Sequence, residues 1–497
     1  MFTRDLSLKV RMLEKMRPKD KSTGFLRWTE QPLKLGGMLS QTGPQNGTPK
    51  VRSSLLACAP HLKRWHRVTL IVVAVILSSS IAILTRPNGH PDEYLHVDAF
   101  RYFETHWWPP NLRSDEVLYS PYGVSRVYTQ ELVYIVYGHL GKVIQFFWNP
   151  DGAPYRIYRL INVSLFLFTL IGLFFTPSRN INPPIIGLVF VCIPQVHYIY
   201  AYANSDAFGL SMGVFLFLLV VSMTAKPVES WSWADFGLLG VFSGLILVSK
   251  KNYVLSLILP YSLVGMQSFK ALTGKPVGLI RRLAVRFTAL GLLVLCISAP
   301  LKVVYPMTQR PFTFAGRQMQ ESETSDGFKQ NNPTSPSYRL GSKGEGYFDL
   351  VTKHRWVNRT LRSFYGSFGW RDGHVRSPAW MYRIACLGAS LALCLTVRGA
   401  TRNWGKLNDV LRACLILAPI VVILNVSASL WHSLHYDLQP QGRYIFPSLI
   451  PISLMLTGIA HDEETKPKLV RAMLFAVMYI LCLCCLLYVV TNPALLV

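Results

Sequence analysis

About eleven apolar runs, each roughly 18 to 22 residues long, recur along this chain of 497 residues, and few folds can accommodate them. They occupy 68–85, 157–176, 184–201, 207–225, 234–249, 252–268, 284–304, 379–397, 408–430, 443–460 and 469–490. Such a run crosses the hydrocarbon core as a helix, because only a helix or a closed barrel satisfies its own backbone hydrogen bonds in lipid. The predicted fold class is therefore all-α integral membrane, a polytopic helical bundle of about 11 transmembrane helices. Composition agrees. The chain is 51% apolar and 15% charged, whereas a soluble domain carries roughly a quarter charged residues.

The net charge of +25 is unevenly placed. Residues 1–67 hold fourteen Lys/Arg against four Asp/Glu, and end in Lys63-Arg64-Trp65-His66-Arg67 before the first run. The positive-inside rule puts this end in the cytoplasm. Alternation then puts Lys270, Lys275, Arg281, Arg282 and Arg286 inside, with Arg398, Arg402 and Lys406, and Lys466, Lys468 and Arg471. One condition applies: segment 131–148 must not cross. With Glu131, His139, Lys142 and flanking Tyr128, Tyr134, Tyr137 and Trp148, it reads as an amphipathic or re-entrant helix on the outer surface. The expected organisation is a basic tail over 1–67, partly disordered at 36–54, and a membrane module over 68–304 with an outward loop at 86–130. A long outward loop follows at 305–378, then C-terminal helices over 379–497.

The basic tail carries no nucleic-acid-binding motif, and anionic headgroups explain a polybasic segment beside a span, so no nucleic-acid partner is expected. Membrane lipids are. No cleavable signal peptide is apparent. The nine cysteines lie in the runs or the tail and suggest neither a disulfide framework nor zinc.

On the outward side, Asp92 and Glu93 of His90-Pro91-Asp92-Glu93-Tyr94 stand just beyond the first run. Carboxylates that close to hydrocarbon are costly, and are functional by default when they face a water-filled cavity. They are the candidate catalytic acids. A helix is expected over 92–106, with His96 sharing a face with Asp92. Asp206, at the start of the fourth run, is either a helix cap or a site residue. Lys250 and Lys251 sit at an outward tip against the positive-inside tendency, which suits an anion as ligand. The loop at 305–378 carries Trp370 and Asp372, and the last outward turn carries His435 and Arg443. Guanidinium suits planar recognition of phosphate oxygens.

Pro91-Asp92-Glu93 with His96, Asn204-Ser205-Asp206, Ser249-Lys250, Gly366-Ser367-Phe368-Gly369-Trp370 and Gln441-Gly442-Arg443-Tyr444 follow one another in a familiar order. Over roughly residues 70–460 the chain resembles a large bacterial family of multi-pass membrane proteins of unknown function, grouped with the GT-C glycosyltransferases. The His-Pro-Asp-Glu string is also similar to the first-loop motif of eukaryotic dolichol-dependent mannosyltransferases, although the rest of the chain is not. The tail before residue 68 is extra to the family pattern, and Arg371 stands where an apolar residue is usual.

The resemblance implies a GT-C-like bundle in the bacterial cytoplasmic membrane, with its N-terminus cytoplasmic and its active site extracytoplasmic. Implied partners are a lipid-linked sugar donor, a polyprenyl phosphate, and a glycan, lipid or protein acceptor. Asp92 or Glu93 would activate the acceptor hydroxyl. His96, Asp206, Lys250, Lys251, Trp370, Asp372, His435 and Arg443 would bind substrate, with Lys250 and Arg443 on the phosphate. A divalent cation, Mg or Mn, could lie between Asp92, Glu93 and the phosphate. Three other readings compete: an O-antigen polymerase or ligase, a transporter or flippase, and a non-catalytic subunit of polysaccharide assembly.

Overall fold

The computed structural model describes residues 62–496, except 111–117, 121, 122, 124, 149–152, 179, 274–276, 310–321, 326–339, 370–374 and 458–464. Among the described residues, the structure is helical apart from one two-stranded ribbon, β1 (Ser367–Phe368) paired antiparallel with β2 (Val375–Arg376).

Seven helices are long and apolar enough to cross a membrane. They are α1 (Arg64–Leu84), α4 (Tyr155–Phe175), α7 (Asp206–Thr224), α10 (Val277–Ala299, its span running on to Met307), α13 (Ala379–Asn403), α14 (Asp409–His435) and α16 (Thr465–Thr491). An eighth candidate is the pair α5 (Pro183–Cys192) and α6 (Pro194–Ala201), bent by 80°. Pro194 has no N–H to continue the ladder and fits the first turn of a new helix, so the run breaks at Ile193.

The expected count of eleven is thus not met by membrane-length helices. The other three runs are shorter: α8 (Trp233–Leu247), α9 (Ile258–Leu272) and α15 (Leu449–Thr457). The last two each begin with a 3-10 segment, Lys251–Leu257 and Gly442–Ser448, that takes up the start of the apolar run. Tighter coiling there keeps the backbone bonded while re-aiming the side chains it carries.

Between α1 and α4 lie α2 (Glu93–Tyr102) and α3 (Leu132–Phe147). The helix expected over 92–106 thus closes at Tyr102. The segment expected to lie on the membrane surface is α3, whose Val136, Leu140, Val143, Phe146 and Phe147 form an exposed apolar stripe. Two further helices, α11 (Tyr347–Thr352) and α12 (Trp356–Gly366), belong to the long loop. Trp356 of α12 is buried beside Leu434 and donates its indole N–H to Ser433 at 2.9 Å.

Helix α7 runs through the interior, with 83% of its apolar window buried, so whatever stands at its N-terminus is buried too. Two glycines let backbone press against neighbours beside it. A Cβ on Gly209 of α7 would lie 2.5 Å from the Tyr253 ring, which seats the Lys251–Leu257 turn. A Cβ on Gly442 would lie 2.1 Å from backbone atoms of Phe364 in α12, so only glycine fits before Arg443.

Candidate active site

Arg159, near the start of α4, is fully buried and joins three segments of chain. Its Nε and Nη2 each lie 2.7 Å from a different oxygen of Glu93. Its Nη1 donates to the carbonyls of Ala82 and Thr85, and its Nη2 to that of Arg86. It thereby satisfies carbonyls left unpaired where α1 ends. The Glu93 Oε1 also accepts the Ala203 N–H at 3.2 Å. Burial alone would push this carboxyl up, but Arg159 and these hydrogen bonds hold it below its ordinary value, so it stays charged.

His90 completes this layer. Its ring lies between Thr85 Oγ1 at 2.8 Å and the Tyr198 hydroxyl at 2.7 Å, and stacks on Tyr202. Burial pushes the imidazole down to about 3, so it is neutral at physiological pH.

Asp206 opens α7 without capping it. The amide oxygen of Asn204 accepts the Ala207 N–H instead. Both Asp206 oxygens receive Lys250 Nζ, at 2.9 and 2.8 Å. Arg443 approaches the same carboxylate, with Nη1 3.9 Å from Oδ2 and 3.1 Å from the Tyr202 hydroxyl. Two cations from loops nearly two hundred residues apart thus converge on one buried acid. Both also lie over the Tyr444 ring. The Arg443 Nε is buried and has no hydrogen-bond partner among the described residues.

Asp92 precedes α2 in the left-handed region, φ 55°, which turns its side chain away from Glu93. One oxygen meets Arg126 Nη2 at 3.3 Å, and both side chains keep nearly a fifth of their surface exposed. Four residues on, His96 is buried and bonded through Nδ1 to the Tyr134 hydroxyl at 2.8 Å. Burial, then the nearby charges of Arg126, Lys250 and Arg443, hold His96 well below its usual range. Half-buried Asp437 is also close, its carboxyl pushed up by burial and, more weakly, by the charge of Asp92.

Of the residues expected from sequence, Asp92, His96, Asp206, Lys250 and Arg443 come together. Glu93 is adjacent but, as a correction to the expected catalytic pair, both of its oxygens are committed to Arg159. Lys251 is exposed and faces the charge of Lys302. His435 is exposed and packs on Trp431. Trp370 and Asp372 lie outside the described residues. The sequence reading overlooked Arg126, Arg159, His90 and Tyr202. Arg159 had left a signal, an arginine inside an apolar run that must find a carboxylate. Both Glu93 oxygens already accept hydrogen bonds, so a cation shared by Asp92 and Glu93 would have to compete with Arg159 for them. No cluster of three or more potential metal ligands occurs among the described residues.

Beside the site lies an apolar cavity of about 370 Å³, lined by Ile193, Trp356, Phe364, Ile445, Leu474 and Met478 among others. Ile445 belongs to the Gly442–Ser448 turn that also carries Arg443, so this turn contributes to both the cavity and the cation cluster.

No protein-family model and no curated protein matches the chain. Among solved structures it is similar to ArnT from Cupriavidus metallidurans bound to undecaprenyl phosphate, with TM-score 0.41 and 14% identity over 80% of this chain and 60% of that one. The apo state of the same enzyme gives TM-score 0.34 and 13% identity over 79% and 77%. The chain therefore spans less than two thirds of the first of these structures. Likeness of this degree does not carry a reaction or a ligand across, and the site's own geometry has to do so.

Proposed function

We propose that this membrane protein is a glycosyltransferase of GT-C type, moving a sugar from a polyprenyl-phosphate donor to an acceptor hydroxyl on the outer side of the membrane. The observation that carries the reading is the convergence of Lys250 and Arg443 on Asp206, with a guanidinium Nε left unpartnered, on a turn, Gly442–Ser448, that also lines an apolar cavity. A buried donor without a partner costs on the order of 1–3 kcal/mol, more when charged, unless a ligand supplies the acceptor. A lipid phosphate supplies oxygens for the cations and a tail for the cavity.

In the reaction, the acceptor O–H gives its proton to Asp92 and its oxygen forms a bond to the anomeric carbon. The bond from that carbon to phosphate breaks, and its electron pair leaves on the phosphate oxygen. Lys250 and Arg443 stabilise the charge that develops there. One carboxylate suffices for such a displacement, and Glu93 is the positioning residue that holds the Asp92 turn.

The test is binding of undecaprenyl phosphate to purified protein. Arg443→Ala and Lys250→Ala should each weaken it by at least about tenfold. Arg443→Lys should be nearly as harmful as Arg443→Ala, because charge survives and the fork does not. Lys250→Arg should be milder. Wild-type affinity in both alanine variants would reduce these residues to headgroup anchors and remove the phosphate site.

A further inference from the structure

Among the described residues, four ion pairs with a buried or half-buried carboxylate lie in and around the site, two of them on Asp206, and the one on Asp92 differs from the others. Glu93–Arg159 is sealed, with two contacts at 2.7 Å and almost no exposure. Asp206–Lys250 is two-pronged and buried at the carboxylate. Asp92–Arg126 is a single contact at 3.3 Å, and both partners are reachable from outside. The Arg126 Nε is nevertheless buried with no partner among the described residues, as is that of Arg443. The protein therefore leaves two guanidinium groups incompletely bonded, and both, with Lys250, act electrostatically on the buried His96 ring.

Arg126 opens a single 3-10 turn, Arg126–Tyr128, that is anchored by buried Val127 and Tyr128, so an exchange of partner falls to the arginine side chain. The charged groups facing Arg126 are Asp92 and Glu131, with the Tyr134 and Tyr444 rings close by.

We propose that Arg126 is a latch on the base. In this structure it pairs with Asp92 and occupies one of the carboxylate's oxygens. When a prenyl phosphate enters beside Lys250 and Arg443, its oxygens take over Arg126 and complete the unpartnered Nε. Asp92 is then free to accept the proton of the acceptor. Donor thus loads before the base is competent, and the base is restrained while no donor is present. Arg126 is a positioning residue here: it exchanges one anion for another and forms no covalent bond. The inference rests on the donor-phosphate reading above.

A competition of this kind has a signature that a structural ion pair lacks. If Asp92 competes with phosphate for Arg126, removing its charge should strengthen phosphate binding. The probe is farnesyl phosphate, measured by calorimetry on the purified full chain in detergent. Asp92→Asn should bind it about fivefold more tightly than wild type, the worth of a partly exposed pair. Arg126→Gln should bind it more weakly, and Asp92→Asn should add little tightening in the Arg126→Gln background. That non-additivity is the pairwise term of a double-mutant cycle. Equal tightening in both backgrounds would mean that Asp92 merely repels phosphate, and would overturn the latch. So would unchanged binding by Asp92→Asn. Arg126→Met, which keeps an unbranched side chain without the charge, takes the place of Arg126→Gln if that variant does not fold.

Inorganic phosphate is run in parallel, and equal affinity for it would assign the site to free phosphate and overturn the lipid latch. Failure of the wild type to bind farnesyl phosphate would remove the donor reading and the latch together. Binding that depends on Lys250 and Arg443 but shows an additive cycle would remove the latch alone.

Discussion

One backbone angle separates the roles of two adjacent acids. With φ at 55°, Asp92 turns toward Arg126 and the site, while Glu93 enters α2 and meets Arg159. Removing one partner of a sealed pair strands the other, at about 3–5 kcal/mol. Arg159→Ala should therefore lower the thermal stability of detergent-purified protein sharply, and Glu93→Gln should do so to a lesser degree. Asp92→Asn should leave stability within about 1 kcal/mol of wild type, because its pair is partly exposed. The buried imidazoles add a pH dependence. His90 titrates near 3 when folded and near 6.5 when unfolded, so between those values the unfolded chain binds more protons and stability rises with pH. Its contribution is complete above about pH 6.5 and is lost as pH falls toward 3; His96 acts in the same direction. Denaturation followed from pH 7.5 to pH 4.5 should show that fall, and His90→Gln should flatten it. Sequence marked the Asp92-Glu93 pair and the cations as important, because charges beside hydrocarbon need a reason. It did not divide the labour between the two acids, since that depends on a turn conformation and on a partner 66 residues away.

At the scale of elements, the hydropathy pattern located the helices but overstated their lengths, and where it failed, the site intrudes. The run at 184–201 is broken at Pro194, just before the segment that carries Tyr198 and Tyr202. The runs at 252–268 and 443–460 open as 3-10 turns that follow Lys250 or carry Arg443. Apolar composition reads the same for an α-helix and a 3-10 turn, so hydropathy cannot see the change. Contact across the bundle decides it, as at Gly442 against Phe364. Gly442→Ala should therefore shift the Arg443 turn or α12, costing about 1–3 kcal/mol as an overpacking change does. It should also weaken prenyl-phosphate binding although it removes no polar group. A variant with wild-type melting temperature and wild-type binding would contradict that placement. The exposed stripe of α3 fits the surface helix expected from its sequence, and suits a helix lying at the headgroup boundary.

For the molecule as a whole, the chain ends of several helices meet around the site: Arg86 accepts into its carbonyl from Arg159 and donates its N–H to Leu495, and Leu132 donates to Val248. If α3 lies on the surface, reporters fused after residues 120, 320 and 436 should report the outside, and those after 275, 402 and 465 the inside. The reverse result after 275 and 320 would make α3 a span, put Lys250 and Arg443 on the opposite side of the membrane from Asp92, and so dissolve the proposed site. The amphipathic pattern of 131–148 and the basic loops give this topology as an expectation from sequence; sugar and acceptor are not legible, because loop shape selects them. The central claim is that Asp92 accepts a proton while a sugar leaves a lipid phosphate. Its most direct test is mass spectrometry of purified protein incubated with solubilised bacterial membranes, which supply both lipid-linked sugars and the glycan, lipid or protein hydroxyls that accept them. Free polyprenyl phosphate should accumulate with the wild type, and Asp92→Asn should slow that release by about two orders of magnitude or more while remaining folded. Release by Asp92→Asn at the wild-type rate would contradict the account.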